Sequence, residues 1–286
     1  MNNDPGLDYA FLKYIGVSVD GEEKLHSFYL PFLADRARVL DLGCGMGGFV
    51  KLLRTQGIDG YGVDSDPQCI AEARAHHLPV VEADVIDYLR TLEPASLDAI
   101  FSAHMVEHMP YAVVLETIQL AYRALRPGGR LVLVTPNPRA LVTHLEMYHL
   151  HFGHIAMYHP KLLAFFMHYA GFAKTEMGEN PHTMAAQISA DSPLRTLPNF
   201  SFTEQRDGGT LLRSEAILPK PRHPLRKVLW YVKMGLVHWV VQPYFDTAAQ
   251  RLHQVQAQLA QTEQALQGTL QALDRPFECY VIGDKA

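Results

Sequence analysis

The stretch from Arg38 to Gly48, Arg-Val-Leu-Asp-Leu-Gly-Cys-Gly-Met-Gly-Gly, constrains this chain more than any other. Val39 to Leu42 is a short apolar run of the kind that forms a buried parallel strand, and the glycines that follow allow only a tight turn. Phe49, Val50, Leu52 and Leu53 then recur at helical spacing. A strand that passes through glycines into a helix lets backbone approach a ligand closely and aims the helix N-terminus at it. The stretch reads as a nucleotide-type binding turn.

Asp41, two residues before the first glycine, narrows the ligand. Dinucleotide folds use Gly-x-Gly-x-x-Gly, and a phosphate gains nothing from an acid at this place. A ligand with a sulfonium and an ammonium group and no phosphate does gain, because opposite charges attract strongly in a partly desolvated cleft. Asp-x-Gly-x-Gly-x-Gly resembles motif I of the class I S-adenosylmethionine (SAM) methyltransferases. A purely structural turn or a NAD loop is the competing reading of the motif alone.

Composition narrows the classes. The chain has 286 residues, 48% of them hydrophobic, enough for one substantial α/β domain and an appendage. The formal charge is -5 with no Lys/Arg cluster to track a phosphate backbone, so no nucleic-acid partner is expected. The three cysteines, Cys44, Cys69 and Cys279, are far apart and lack metal spacing, which points to a reducing compartment. With no signal-peptide pattern near the N-terminus and no apolar run of the ~20 residues needed to span a bilayer, the expectation is a cytoplasmic protein.

In chain order, Leu7 to Phe32 reads as a helical lead-in with Leu25, Phe28, Tyr29 and Phe32 on one stripe, either packing or lidding the cleft. After the glycine turn a second strand, Gly60 to Val63, ends in Asp64, 21 residues beyond Gly43, and Ser65-Asp66-Pro67 is a helix start. A strand-end acid about 20 residues past the glycines is where an α/β fold binds ribose hydroxyls. A third strand, Pro79 to Glu82, leads to Ala83-Asp84-Val85. Leu97 to Phe101 is the fourth strand and runs into Ser102-Ala103-His104-Met105-Val106-Glu107-His108. A helix from Val113 to Leu125 stops at Arg126-Pro127-Gly128-Gly129, and Arg130 to Thr135 is the fifth strand. This alternation predicts a doubly wound parallel sheet with right-handed crossovers.

Leu-Asp-Leu-Gly-Cys-Gly, Gly-Val-Asp, His-Met-Val-Glu-His-Met-Pro and Leu-Arg-Pro-Gly-Gly-Arg-Leu-Val-Leu-Val-Thr-Pro-Asn-Pro together resemble class I SAM methyltransferases whose fourth strand ends in His-x-x-Glu-His. The lead-in Glu22 to Pro31 and the block Met147 to His154 are similar to methyltransferases of bacterial O-antigen and surface-glycan synthesis. The resemblance implies a Rossmann-like sheet of seven strands with the last strand antiparallel, and SAM as cofactor. It also implies a cofactor site of Asp41, Gly43, Cys44, Gly45, Asp64, Ser65, Asp84, Val85 and Ala103. Asp84, with the Val85 backbone beside it, would receive the adenine amino group; a solvated loop aspartate is the alternative.

Eight of the 15 histidines lie between His104 and His168. Methylating a hydroxyl requires its proton to leave, and imidazole suits that near neutrality, which makes His104, His108 and His154 the catalytic candidates. A structural tie is the alternative, and for His108 the stronger one. His149, His151 and His154 with Glu146 are close in sequence but fit no metal-ligand template, so no metal is expected.

The sixth strand is expected at Phe172 to Met177 and the last within residues 276–283, making residues 1–190 the SAM-binding domain and 191–275 an irregular and helical insertion. Within the insertion, Leu225 to Val241 is apolar on nearly every face, which favours burial over a membrane-surface helix. Leu252, Leu259, Leu266 and Leu273 keep a period of seven, a coiled-coil seam that fits a hairpin or a homodimer. A peripheral membrane or protein partner through this insertion stays open. The acceptor is expected to be a small molecule or glycan, a sugar hydroxyl first and a lipid-linked or quinone-like molecule second. A SAM-binding scaffold in polysaccharide assembly is the non-catalytic alternative.

Overall fold

The computed structural model describes residues 6–183, 224–240, 242–273 and 275–286. Its elements are α1 (Leu7–Tyr14), α2 (Val19–His26), a 3-10 segment (Ser27–Phe32), β1 (Arg38–Leu42), α3 (Gly48–Thr55), β2 (Asp59–Asp64), α4 (Pro67–Ala75), β3 (Val80–Glu82), α5 (Val85–Thr91) and β4 (Leu97–Ala103). A 3-10 turn (Val106–His108), α6 (Tyr111–Ala124), β5 (Leu125–Pro136), a π-helical segment (Thr143–Met147), α7 (Tyr148–Leu150), α8 (Pro160–Ala170) and β6 (Lys174–Glu179) follow. A 3-10 turn (Pro181–Thr183), α9 (Pro224–Val240), α10 (Gln242–Leu273) and β7 (Glu278–Asp284) complete the described chain.

The strands form one seven-stranded sheet in the order β3-β2-β1-β4-β5-β7-β6. All are parallel except β7, which runs antiparallel between β5 and β6, as expected for a Rossmann-like methyltransferase sheet. The strand side chains alternate between two cores, the mark of a sheet covered on both faces. Leu40, Ile100 and Leu133 face the core built with α5, α6 and α8, whereas Val39, Phe101 and Val132 face the core built with α3, Tyr29 and Leu33. Strand order reverses beside β1, so its carboxyl end lies at the crevice where such sheets bind ligands.

Local chemistry explains the elements that frame this crevice. Asp66 caps α4 by accepting from the Gln68 and Cys69 N–H groups, with Pro67 in the first turn. Gly47 turns the chain into α3 at φ 85°, a left-handed conformation that favours glycine. Gly48 is required by close approach: a Cβ there would lie 2.6 Å from Val19 O and 2.8 Å from Glu23 N, so α2 rests directly on the glycine turn.

Three boundaries differ from expectation. The lead-in is two helices, parted around Gly16 at φ 83°, and a 3-10 segment in which Pro31 interrupts regular helical bonding. Arg126 to Gly129 lies inside β5 rather than in a helix-stop loop: Leu125 already pairs with Leu97, and the register shifts before Arg130 meets Ala99, which absorbs the Pro and glycines. β6 starts at Lys174 because the Phe172 side chain is buried under α8 and its segment is spent closing that helix.

The chain divides into two compact units, Met1–Ile188 with Leu273–Ala286, and Ser189–Ala272. In the second unit, α10 is a single helix of 32 residues whose Leu252, Val255, Leu259 and Leu266 are exposed. Leu229, Tyr231, Leu236 and Trp239 of α9 are exposed too. No helix among the described residues is long and apolar enough to cross a membrane.

Candidate functional site

The glycine turn is built differently from a phosphate-binding loop. Asp64, at the end of β2, accepts Gly45 N–H on Oδ2 at 2.8 Å and Asp66 N–H on Oδ1 at 2.8 Å. Glu22, reaching over from α2, accepts Gly48 N–H at 3.1 Å. Gly43 and Cys44 give their N–H groups to Val63 O at 2.9 and 3.1 Å. Amides that would face an anion in a dinucleotide loop are thus held by two carboxylates and a carbonyl.

Asp41, buried below the turn, adds a third carboxylate. Burial, then the charges of Glu22 and Asp64, hold the Asp41 carboxyl well above the usual carboxylate range. Glu22 is pushed up to about 7, mainly by burial and further by Asp64, against the pull of the Gly48 amide and His104. Burial also raises Asp64. Among the described residues none of the three forms an ion pair with a lysine, arginine or histidine, and burial holds Asp41 and Glu22 toward their neutral forms, so the cradle is poised to ionise against a cation. A cationic ligand without phosphate fits it.

Asp84 is exposed and caps α5, its Oδ1 accepting from Ile86 and Asp87 N–H at 2.9 and 3.0 Å, which leaves Oδ2 free. Ser65 is exposed beside Asp64, and Val85 and Ala103 are buried at the ends of their elements. Cys44 departs from expectation: its side chain packs under Gly62, where a Cβ would stand 2.5 Å from its Sγ, and its amide is spent on Val63 O. It supports the turn and offers a ligand neither thiol nor N–H.

The expected catalytic histidines fall into two groups. His104, at φ 54° beyond the end of β4, is wedged between two fully buried carboxylates, with Nε2 2.8 Å from Glu278 Oε1 and Nδ1 3.4 Å from Glu107 Oε1. Burial alone would lower its pKa, but hydrogen bonds to Glu107 and Glu278 outweigh it and raise His104 to about 10. Both carboxyls drop below their ordinary value for the same reason, despite burial. At neutral pH His104 is therefore an imidazolium. Both of its ring nitrogens are turned to carboxylates, which weighs against the general-base expectation, and the three groups together carry a net negative charge.

Glu278 is the hub of this group. Its Oε2 accepts from Tyr29 OH at 2.8 Å and from Asn180 Nδ2 at 2.9 Å. The His26 ring stacks on His104 with centroids 6.2 Å apart and is pushed down to about 4 by burial, so it stays neutral.

His108 and His154 form the second group, together with His151. The three ring centroids lie 4.8 to 5.2 Å apart. Burial lowers the pKa of His108 and pushes His151 down to about 4. His149 does not join them; its ring stands against Tyr148 instead. Sequence spacing grouped His149 with His151 and His154, whereas the fold replaces it with His108, a residue of a different element.

Glu22, His26, Tyr29, Asn180 and Glu278 carried no sequence signal for the site. Glu22 is one of several acids on an amphipathic helix, and Glu278 sits in an alternating strand where a solvent-facing side chain was expected. Both faces of that strand are covered, which turns Glu278 into a buried charge.

Because Glu22 is pushed up to about 7 from the ordinary glutamate value, folding favours its protonated form. The ligand-free protein is accordingly expected to lose stability as pH rises from about 4.5 to about 7, by up to about 3 kcal/mol. Glu22→Gln keeps an acceptor for the Gly48 amide and removes the charge. Thermal unfolding should give this variant a higher Tm than the parent at pH 8 and the same Tm at pH 5; a difference independent of pH would contradict the buried-charge account.

Comparison with known proteins agrees with this geometry. Residues 20–177 match the family described as "Methyltransferase domain". A curated ubiquinone biosynthesis O-methyltransferase from Xylella fastidiosa is 37% identical over 106 residues, covering 35% of this chain and 42% of that protein. Its counterpart from Xanthomonas campestris is 33% identical over 132 residues, covering 41% of this chain and 54% of that protein. The chain thus spans about half the length of these relatives. The crystal structure of a SAM-dependent methyltransferase from Archaeoglobus fulgidus superposes with a TM-score of 0.64 at 20% identity, covering 98% of this chain and 100% of that one, a likeness of fold. The putative methyltransferase bound to the Trm112 activator of Haloferax volcanii gives 0.51 at 21% identity, over 68% of this chain and 85% of that one. With the family matched over more than half of its length, the chain belongs to the methyltransferase-domain family, whose cofactor is S-adenosyl-L-methionine.

Proposed function

We propose that this chain transfers a methyl group from SAM to a hydroxyl oxygen of a small acceptor, with a phenolic or quinol-like acceptor as first choice. The observation that supports the donor is the carboxylate-filled glycine turn, whose Gly45 and Gly48 amides are already occupied by Asp64 and Glu22 and so are not offered to a phosphate. In this reading Asp64 and Ser65 hold the ribose, Asp84 Oδ2 with the Val85 backbone meets the adenine amino group, and Asp41 with Glu22 faces the cationic end. Gly43 and Gly45 give the backbone close approach, and Ala103 lines the floor.

SAM supplies an electrophilic methyl group, and the protein's task is to align an oxygen with it and take a proton away. Positioning alone is worth effective molarities of ~10⁵ to 10⁸ M. His108 and His154, on the imidazole-lined side, are the groups proposed to accept the proton, while His104 is held between the Glu107 and Glu278 carboxylates. The methyltransferase domain comprises residues 1–190 completed by 276–283, and the insertion 191–275 stands outside the chemistry.

The phenolic reading draws on the names of the relatives and on Phe11, Phe152 and Tyr148, whose rings surround the histidines. A sugar hydroxyl is the second reading, supported by the motif resemblance to glycan methyltransferases. Release of S-adenosylhomocysteine across a panel of catechols, quinols, nucleotide sugars and oligosaccharides tests both. Turnover on a catechol or quinol supports the first reading, and turnover on sugars alone replaces it with the second. SAM binding without turnover on any member would favour a scaffold.

A further inference from the structure

We propose that His108, His151 and His154 form a binding site for one divalent transition-metal ion of the zinc class. One ligand atom from each histidine lies within 4.8 Å of the other two, on a side of the molecule where all three side chains are half-buried.

The hydrogen-bonding around His154 is the stronger observation. Its Nδ1 lies 2.8 Å from Tyr148 O, and a carbonyl can only accept, so Nδ1 carries the proton and Nε2 presents a lone pair. That lone pair points toward Glu107 Oε1 at 3.9 Å. Glu107 is already engaged, its Oε1 3.4 Å from His104 Nδ1 and its Oε2 accepting from Thr135 Oγ1 at 3.1 Å, so it stands beside the histidines as a nearby negative charge. Zinc sits ~2.0–2.1 Å from an imidazole nitrogen, so an ion among the three rings can take the His154 Nε2 lone pair. A backbone carbonyl that fixes the far nitrogen of a histidine is also the usual outer support of a metal ligand.

The loop is shaped to this cluster. A Cβ on Gly153 would lie 2.7 Å from His108 Nδ1 and 3.1 Å from the His151 ring, so only glycine lets the two imidazoles close over it. His151 accepts Gly153 N–H on Nδ1 at 3.0 Å and turns Nε2 toward Asp8 Oδ1 of α1 at 3.9 Å, and it gives up one of these contacts when it ligates. A set of three imidazoles suits zinc, cobalt, nickel or ferrous iron rather than magnesium or calcium.

An ion here would stand beyond the carboxyl end of β4 beside His104, where it could hold an oxygen acceptor by its lone pair. That use rests on the O-methyl reading above, with His108 and His154 then serving as ligands rather than as proton acceptors; the binding does not, and its test contains neither SAM nor acceptor. The untagged full-length chain, stripped with a chelator, is titrated with Co²⁺ and followed by ligand-field absorption, with calorimetry for Zn²⁺. One equivalent should bind with a low-symmetry, nitrogen-rich cobalt spectrum. His108→Ala and His154→Ala should each weaken uptake by about 100-fold or more, since loss of an outer support alone costs ~10–100-fold. His154→Gln guards against misfolding, and His149→Ala should bind as the parent does. Absence of stoichiometric uptake, or uptake unchanged in His108→Ala and His154→Gln, overturns the site.

Discussion

Asp64→Ala is expected to weaken SAM binding by about 100-fold with the sheet intact. The carboxylate accepts two backbone N–H groups, 2.8 Å each, that hold Gly45 and Asp66 in place, and it is the group assigned to the ribose hydroxyls. A hydrogen bond to a charged partner contributes ~1.5–3 kcal/mol, so losing the ligand's bonds to Asp64 accounts for one to two decades of affinity and loosening of the turn for the rest. Asp64 is mostly buried in a repulsive cluster with Asp41 and Glu22, so removing it relieves strain in the ligand-free protein, whose Tm should not fall sharply. Calorimetric titration with SAM checks the expectation, and undiminished affinity would remove Asp64 from the cofactor site.

The second large effect is on stability. Glu278→Leu leaves His104 with Glu107 alone and strips Tyr29 and Asn180 of their acceptor. Breaking a buried ion pair by removing one partner costs ~3–5 kcal/mol because the other charge stays buried. For a domain of this size that corresponds to a Tm drop of about 10 °C. Replacing both partners, Glu278→Leu with His104→Leu, should cost less than the sum of the single changes, since no unpaired charge remains on that side. Additive losses, or a Glu278→Leu Tm within a degree or two of the parent, would show that the network is not coupled.

What the sequence made legible follows from range. The strand–glycine–helix turn at Arg38 to Gly48, the acid closing β2 and the cap Asp66-Pro67 are local patterns, each specified by neighbours within a few residues, and all appear where their chemistry demands. The antiparallel last strand is legible only through resemblance, because nothing within Glu278 to Asp284 tells which strands it will join. Interactions that bridge distant segments left no trace. Glu278 meets His104 across 174 positions, and Glu22 meets Gly48 across 26. These contacts decide the protonation of His104 and the sign of the charge at the glycine turn. The histidine-rich segment was visible as a count, but which rings meet was not: His108 joins His151 and His154 because the loop returns across the end of β4 and pairs Ile155 and Ala156 N–H with Glu107 O.

That division bears on function. Local patterns identify the fold and the cofactor class, which relatives share, while the long-range contacts set the acceptor side. Glu22 brings the lead-in helix onto the glycine turn, and Glu107 with Glu278 holds His104 beyond the end of β4.

The central claim is methyl transfer from SAM to oxygen at this cleft, and methyl-labelled SAM tests it most directly. The chain is incubated with SAM carrying a ¹³C methyl group and the acceptor that turns over best, and the product is examined by carbon–proton correlation NMR. The account predicts a single new labelled methyl resonance in the O-methyl range, diminished in Asp64→Ala. A label found only on nitrogen, sulfur or carbon, or transfer undiminished by loss of Asp64, would contradict it.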